Sequence, residues 1–542
     1  MKRRRFLTLG ASVAALPMGP EVTQAQADPN PIRTIYSNDT TNLFSCLRPE
    51  QRAETEMKDE LLAASIREAR GVDAHFLQPG LGWVPWWKSA IYPMHEHQRW
   101  LEETHGVKGL KKFARYVLEG GDLLDVLVRT CGELDIAPFL SFRLNDGHHT
   151  RSLAEALEKG KPTSDMAKHY WENYERFRIG PDVNNWDDVV FDWAIPEVRE
   201  YKFALIEEAC ANYDLAGLEL DFLRHWVRFK PETPQELRHE ITTNFVRRIR
   251  EMLDRTAEAR GLPRRRLCVR VPAKSEIRPE QGIELGALAD AGVDMVNLSY
   301  SYFTWQDDSV ARAREEAGSD LALYAEMTHC TMTGKATSGS GTQPFLRTTD
   351  NQFFTTAQMA YDQGATGVSF FNFAYYRYHV TDTIGPFHEP PFSVLSQVKD
   401  RDFLERQGPS CFLSSGRNDD ILGERKLPLI AKRNHPHSLR ILLPKKQPFE
   451  RGGVLRFRSD EVIDDREIEV ICGEIELKQT DYFEKPGDLS YAGTWEGQPK
   501  EFACFSVPAA LLQEQDSFEF VFRVKRGVRV RVIYIDLFEV SQ

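Results

Sequence analysis

Residues Gly217 to Trp226 read GLELDFLRHW. Leu218, Leu220 and Phe222 alternate with Glu219 and Asp221, the period of two that marks a strand with two chemically different faces. One face suits packing against helices; the other carries two carboxylates. A strand that turns acids away from its packing face and then runs into Arg224, His225 and Trp226 has the character of a parallel barrel strand where it opens into an active site. That reading requires seven companion strands.

They are present in the pattern. Ile35-Tyr36 begins a first strand, Val72 to Phe76 a second and Ile136 to Phe142 a third, with GLELDF as the fourth. Leu267 to Val271, Val293 to Leu298, Leu321 to Met327 and Gly367 to Phe373 supply strands five to eight. Helix-patterned segments separate them. Leu110 to Leu134 breaks at Gly120-Gly121, Pro196 to Tyr213 leads into strand four, and Thr233 to Gly261 opens with Thr-Pro and ends on Gly, both boundary signals. Eight βα units in series predict a closed (β/α)8 TIM barrel, an α/β fold.

Parity along each strand divides the barrel. Leu140, Phe142, Val269, Val271, Leu323 and Ala325 are predicted to face the helices. Ser141, Arg143, Glu219, Asp221, Arg270, Asn297, Ser299, Tyr324 and Glu326 then face inward. So polar an interior is not inert packing, because each unpaired buried polar group costs several kcal/mol. These groups must pair with one another or line a pocket at the C-terminal rim.

The barrel is expected over residues 28–407. From Gly408 the helical pattern stops and alternating runs appear, such as Ser438 to Leu443, Gly453 to Arg458, Ile468 to Cys472, Phe518 to Val524 and Val528 to Leu537. Residues 408–542 are predicted to form an all-β sandwich of seven or eight strands, packed behind the barrel.

The first residues read as an address. Arg3-Arg4-x-Phe6-Leu7, a short apolar run and Ala25-Gln26-Ala27 match a twin-arginine signal peptide over residues 1–27. The apolar run is well short of the ~20 residues that span a bilayer, so stable membrane insertion is not expected, and a periplasmic or secreted location is. The leader carries four positive charges and one negative, so its removal takes the formal net charge from -12 to -15. That balance argues against a nucleic-acid partner. The eight cysteines are dispersed without a Cys-x-x-Cys and read mainly as buried thiols.

Asp221 and Glu326 end strands on opposite sides of the barrel mouth. Glycoside hydrolysis needs one carboxylic acid to protonate the leaving oxygen and a second carboxylate to attack or to activate water, so this pair is the catalytic candidate. Glu219 lies about 6.5 Å deeper on the same face, where an ion pair with Arg143 and Arg270 would orient the site. Arg143, Asn145, Asp146 and His148 after strand three, with Arg224 and Trp226 after strand four, are candidate sugar contacts. His75, Arg270, Asn297, Tyr300, Asn372 and Tyr376 complete that set. Aromatics recur at strand ends, at Trp83, Trp86, Trp87, Trp226, Tyr300, Tyr302, Trp305, Tyr375 and Tyr376, and flat aromatic walls suit the C–H faces of sugars. His148 and His149 are adjacent and lack metal-ligand spacing; no metal or cofactor is expected. There is no Gly-x-Ser-x-Gly elbow, no dinucleotide fingerprint, and Gly334-Lys335 lacks the spacing of a phosphate loop.

GLELDF at 217–222, AEM at 325–327 and FRLNDGHH at 142–149 resemble bacterial glycoside-hydrolase-like barrels of the family-10-like kind. In layout the chain is similar to the retaining glycosidase clan with its acid/base on strand four and nucleophile on strand seven. The resemblance implies Asp221 as acid/base and Glu326 as nucleophile. It departs where the clan has Asn-Glu and this chain has Leu220-Asp221, one methylene shorter. The sequence thus predicts a glycosidase acting on an oligo- or polysaccharide. The alternatives are a version with Asp221 as nucleophile, for which strand six offers no acid before Asp307, and a non-catalytic carbohydrate-binding protein.

Overall fold

The computed structural model describes residues 31–539 apart from 52–53, 81–82, 111, 148–152, 181–187, 224, 226, 302, 319, 333–344, 378–388, 414–425, 434, 460–467, 482–490, 493–500 and 526–529. Eight parallel strands close into a barrel: β1 (Thr34–Asp39), β2 (Ala74–Gln78), β3 (Ala137–Arg143), β4 (Gly217–Asp221), β5 (Arg266–Pro272), β6 (Met295–Ser299), β7 (Ala322–Thr328) and β8 (Gly367–Phe371). Each pairs with its neighbours in sequence, and β1 closes on β8 through Thr34 opposite Val368 to Ser37 opposite Phe371.

Helices cover the outside. Pro196–Asn212 begins on a proline at its first turn, where the missing N–H costs nothing. Leu123–Glu133 is capped by Asp122, whose carboxylate accepts from the Leu124 and Asp125 amides. Asp350–Asp362 starts with a capping box between Thr349 and Gln352. The predicted parity holds: Leu140, Phe142, Val269, Val271 and Leu323 are buried in the outer core against the helices, with Ala325 packed on it.

Inside, the floor is apolar. Ile35, Phe76, Phe139, Cys268, Met295 and Tyr324 form one buried cluster, and the Phe76 and Phe139 rings stack 4.3 Å apart. Gly217 starts β4 against that floor, where an added β carbon would overlap the Phe139 ring and the Arg266 carbonyl. Because backbone and a stacked ring cannot both yield, Gly217→Ala is expected to destabilise the barrel by about 1–3 kcal/mol, read from the midpoint of urea unfolding.

From Ser410 onward, the described regular elements are β-strands and one 3-10 turn. Two antiparallel sheets, of six and four strands, enclose a shared core that includes Leu455, Phe457, Phe505, Phe520, Phe522 and Ile535. The ten strands exceed the seven or eight expected because Leu429–Ala431, Ile475–Glu476 and Lys478–Gln479 are too short to show alternation. The sheets also do not pack behind the barrel. They meet the loops after β6 and β7 and the Asp350–Asp362 helix: Gln306 donates to the Ser410 carbonyl and accepts from the Phe412 amide, and the Tyr534 hydroxyl accepts from Thr331 and Gln352.

All eight cysteines are free thiols, and seven are buried. None of the described helices is long and apolar enough to cross a membrane.

Candidate active site

The mouth of the barrel is a network of charge. Register alone sets Arg143 of β3 beside Asp221 of β4, and Asp221 beside Arg270 of β5. Arg143 ion-pairs with Asp39, with Asp146 at 2.7 Å and with Asp221 at 3.4 Å. Arg270 reaches Asp221 at 3.2 Å and grips Glu326 with two nitrogens, Nε to Oε2 at 2.6 Å and Nη2 to Oε1 at 2.7 Å. Its guanidinium lies 4.0 Å from the centroid of the Phe371 ring. The planar fork of arginine is what allows one side chain to hold two carboxylates from two strands.

Secondary partners complete the arrangement. Ser299 donates to Glu326 Oε1 and Asn297 to Oε2. The Leu223 amide donates to Asp221 at 2.9 Å, tying the carboxylate to the loop that leaves β4. Asn372 adopts a left-handed backbone with φ of 49°, a conformation that asparagine tolerates better than most residues, and its amide group bonds Asp39. Asp221 is 2% and Glu326 3% exposed, so these groups interact in a medium far less screening than water.

Burial alone would lower the pKa of Arg143, but the charges of Asp39, Asp146 and Asp221 outweigh it and hold the pKa above its ordinary value. Arg270 is raised in the same way, burial being overcome chiefly by Glu326 and then Asp221. Burial pushes the Glu326 carboxyl up, with Arg270 pulling against it.

Glu219 departs from expectation. It lies a layer deeper than Asp221, but its hydrogen-bond partners are neutral: Ser141 at 2.7 Å, Asn297 at 3.3 Å and the Cys268 thiol at 3.7 Å. The arginines are drawn upward by the rim acids and ion-pair with those instead. Burial and the Asp221 charge raise the Glu219 pKa to about 7 from 4.5. Between those two values the folded chain holds more protons than the unfolded one, so this group's contribution makes stability fall as pH rises. Glu219→Gln is therefore expected to match wild-type stability near pH 4.5 and to exceed it by about 1–3 kcal/mol at pH 8, each pKa unit being worth about 1.4 kcal/mol. Urea unfolding at the two pH values checks this, and an equal difference at both would contradict it.

The other predicted contacts scatter. His75 is a correction: its register partner is Tyr36, both lie on the outer face of the barrel wall, and their rings sit 5.3 Å apart. His75 lies within the expected strand Val72 to Phe76, but Phe76 and Gln78 are the inward residues, and burial takes the imidazole pKa down to about 3. Asn145 clamps a loop, donating to the Phe191 carbonyl at 2.9 Å. Tyr300 bonds Asp307 and Ser309 and stacks on Trp305 at 4.7 Å, whereas Tyr376 is buried with its hydroxyl on the Thr348 carbonyl. His148, Arg224 and Trp226 lie outside the described residues.

The sequence reading missed Asp39 and Gln78. The signal for Asp39 was available, since Ile35, Ser37 and Asp39 alternate in TIYSND once β1 is extended to its full length.

No family model matches the chain, and no curated protein matches it in sequence. Among solved structures, it is similar to TIM-barrel glycoside hydrolases. One is the PgaB (BpsB) glycoside hydrolase domain from Bordetella bronchiseptica, at 10% identity and a TM-score of 0.42 over 68% of this chain and 99% of that one. Another is a family 18 N-acetylglucosaminidase from Paenibacillus barengoltzii, at 12% identity and a TM-score of 0.36 over the same shares, 68% and 99%. A family 18 chitinase from Cycas revoluta aligns at 11% identity and a TM-score of 0.37, again over 68% and 99%.

Proposed function

We propose that this protein is an exported glycoside hydrolase that cleaves O-glycosidic bonds, with Glu326 as nucleophile and Asp221 as acid/base. One observation carries the reading: carboxylates from β4 and β7 converge on a single guanidinium, that of Arg270, at the C-terminal mouth of the barrel. Glycosidases need two such groups, and this end of a (β/α)8 barrel is where its chemistry is placed. The strand-four and strand-seven positions are those of the family-10-like resemblance, which assigns the roles. In this reading Arg270 and Ser299 orient Glu326 for attack on the anomeric carbon, while Asp221, tied to the Leu223 amide, hands a proton to the leaving oxygen. The twin-arginine leader supports export, and the change of grammar at residue 408 supports a barrel domain followed by a separate β-sandwich domain.

A specific observation favours a second reading, a carbohydrate-binding protein without turnover. Each oxygen of Glu326 already accepts two hydrogen bonds, Oε1 from Arg270 and Ser299 and Oε2 from Arg270 and Asn297. That fills the roughly four lone-pair sites of a carboxylate, so attack requires one bond to be given up. Incubation of the purified protein with a polysaccharide panel separates the two. Released reducing sugar that disappears in Glu326→Gln supports the hydrolase; retention on a glycan with no product supports binding alone.

A further inference from the structure

We propose that a second sugar site adjoins the barrel mouth, in the cavity between the loops that follow β1 and β2, and that it holds one neutral pyranose ring of the glycan acted on at Asp221 and Glu326. The proposal rests on the carbohydrate reading above. The cavity has a volume of about 250 Å3, below the roughly 300–1,000 Å3 of pockets that take drug-sized ligands and suited to a single ring.

Its walls are aromatic: Phe44, Trp83, Trp86 and Phe113. Trp86 and Phe113 stack 4.2 Å apart at 11°, and Phe44 meets Phe113 edge-on at 5.3 Å, so the wall is held in shape by its own packing. Trp86 and Phe113 cover one face of each other and Lys202 covers a face of Trp83, so what the wall offers the C–H groups of a pyranose is aromatic edges. Thr41, Lys112 and Ser164 supply hydroxyl and ammonium donors at the same cavity. Lys112 has φ of 40°, a left-handed backbone that a lysine adopts only under constraint and that recurs at ligand sites. Its ammonium sits 4.5 Å from the Phe44 centroid. Asp165 lines the cavity as well, so the lining carries both signs and suits a neutral ring rather than a uronic acid.

An independent observation links cavity and mouth. Gln78 ends β2 on the inward face, in register with Asp39, and is 5% exposed. Its amide nitrogen finds no hydrogen-bond partner among the described residues. A buried donor left unpaired costs stability unless a ligand or water satisfies it, and this one stands where the chain leaves the barrel towards Trp83 and Trp86. Trp83 in turn donates to the Asp146 carbonyl at 2.9 Å, while the Asp146 carboxylate holds Arg143. Aromatic wall and charged mouth are therefore linked by hydrogen bonds, and Gln78, in register with Asp39, offers an unpaired donor at the mouth end to a glycan that spans both.

The test uses the full chain and neutral cello-, xylo-, manno- and chito-oligosaccharides of one to six units, with binding followed by calorimetry and product by reducing-sugar release. Thr41→Trp fills the cavity from its exposed edge; Phe44→Ala combined with Lys112→Ala strips its outer wall. Both are expected to weaken the tightest-binding oligosaccharide at least about tenfold, as loss of an aromatic anchor does, with unchanged circular dichroism. Unaltered affinity in both variants overturns the second site and leaves the carbohydrate reading standing. Absence of both binding and product for the wild-type protein across the panel overturns both.

Discussion

Glu326→Gln is expected to reduce glycoside hydrolysis by a factor on the order of 10^4 or more, the scale of losing a covalent nucleophile, with the barrel still folded. The substitution keeps the shape of the side chain and removes the charge that would attack the anomeric carbon. It also puts an NH2 group where every partner of the carboxylate is a donor: Arg270, Ser299 and Asn297. A guanidinium nitrogen cannot accept, and the Ser299 hydroxyl already accepts from Arg270 and from the Ser301 amide, so some stability is lost along with turnover. Glycan binding measured in parallel distinguishes chemistry from collapse: retained affinity with no product identifies Glu326 as the nucleophile, and unchanged turnover would remove it from the mechanism.

Arg270→Met is expected to be the most destabilising single change in the barrel. It leaves Asp221 and Glu326, both nearly inaccessible, without the cation they share, and breaking one side of a buried ion pair costs about 3–5 kcal/mol. The loss should shrink at acid pH. Without Arg270 the buried Glu326 carboxyl loses the cation that pulls its pKa down against burial, and a group whose folded-state pKa is raised penalises the fold only above its unfolded pKa. Urea unfolding of Arg270→Met at pH 4 and pH 7.5 reads this directly, with the larger deficit expected at pH 7.5. Arg270→Lys should fall between the two proteins, since an ammonium restores charge but cannot hold two carboxylates in one plane. A small, pH-independent loss would mean that Arg270 is not the hub of the network.

Much of the barrel was legible because strands confined between helices and lumen leave a period-two pattern that needs no partner to be read. GLELD gave both its faces in five residues, and the same parity placed Ser141, Arg143, Arg270, Asn297 and Glu326 inward. Failures came where parity was not carried through to a strand's end. In TIYSND the alternation reaches Asp39 only when the strand is carried past Ile35-Tyr36; His75, expected among the sugar contacts, shares the outer face with Tyr36. In the sheets after Ser410, two- and three-residue strands exist only through their neighbours' hydrogen bonds and leave no pattern to find.

The sequence by itself determined that eight strands would close, which of their side chains would face the lumen, and that acids from β4 and β7 would share the mouth. Only the tertiary structure decided who pairs with whom. Arginine side chains are long enough to choose among several carboxylates, and the choice follows from depth and burial. Arg143 and Arg270 pair with the rim acids Asp39, Asp146, Asp221 and Glu326, and Glu219, one layer down among Ser141, Asn297 and Cys268, is left to hold its proton towards neutral pH.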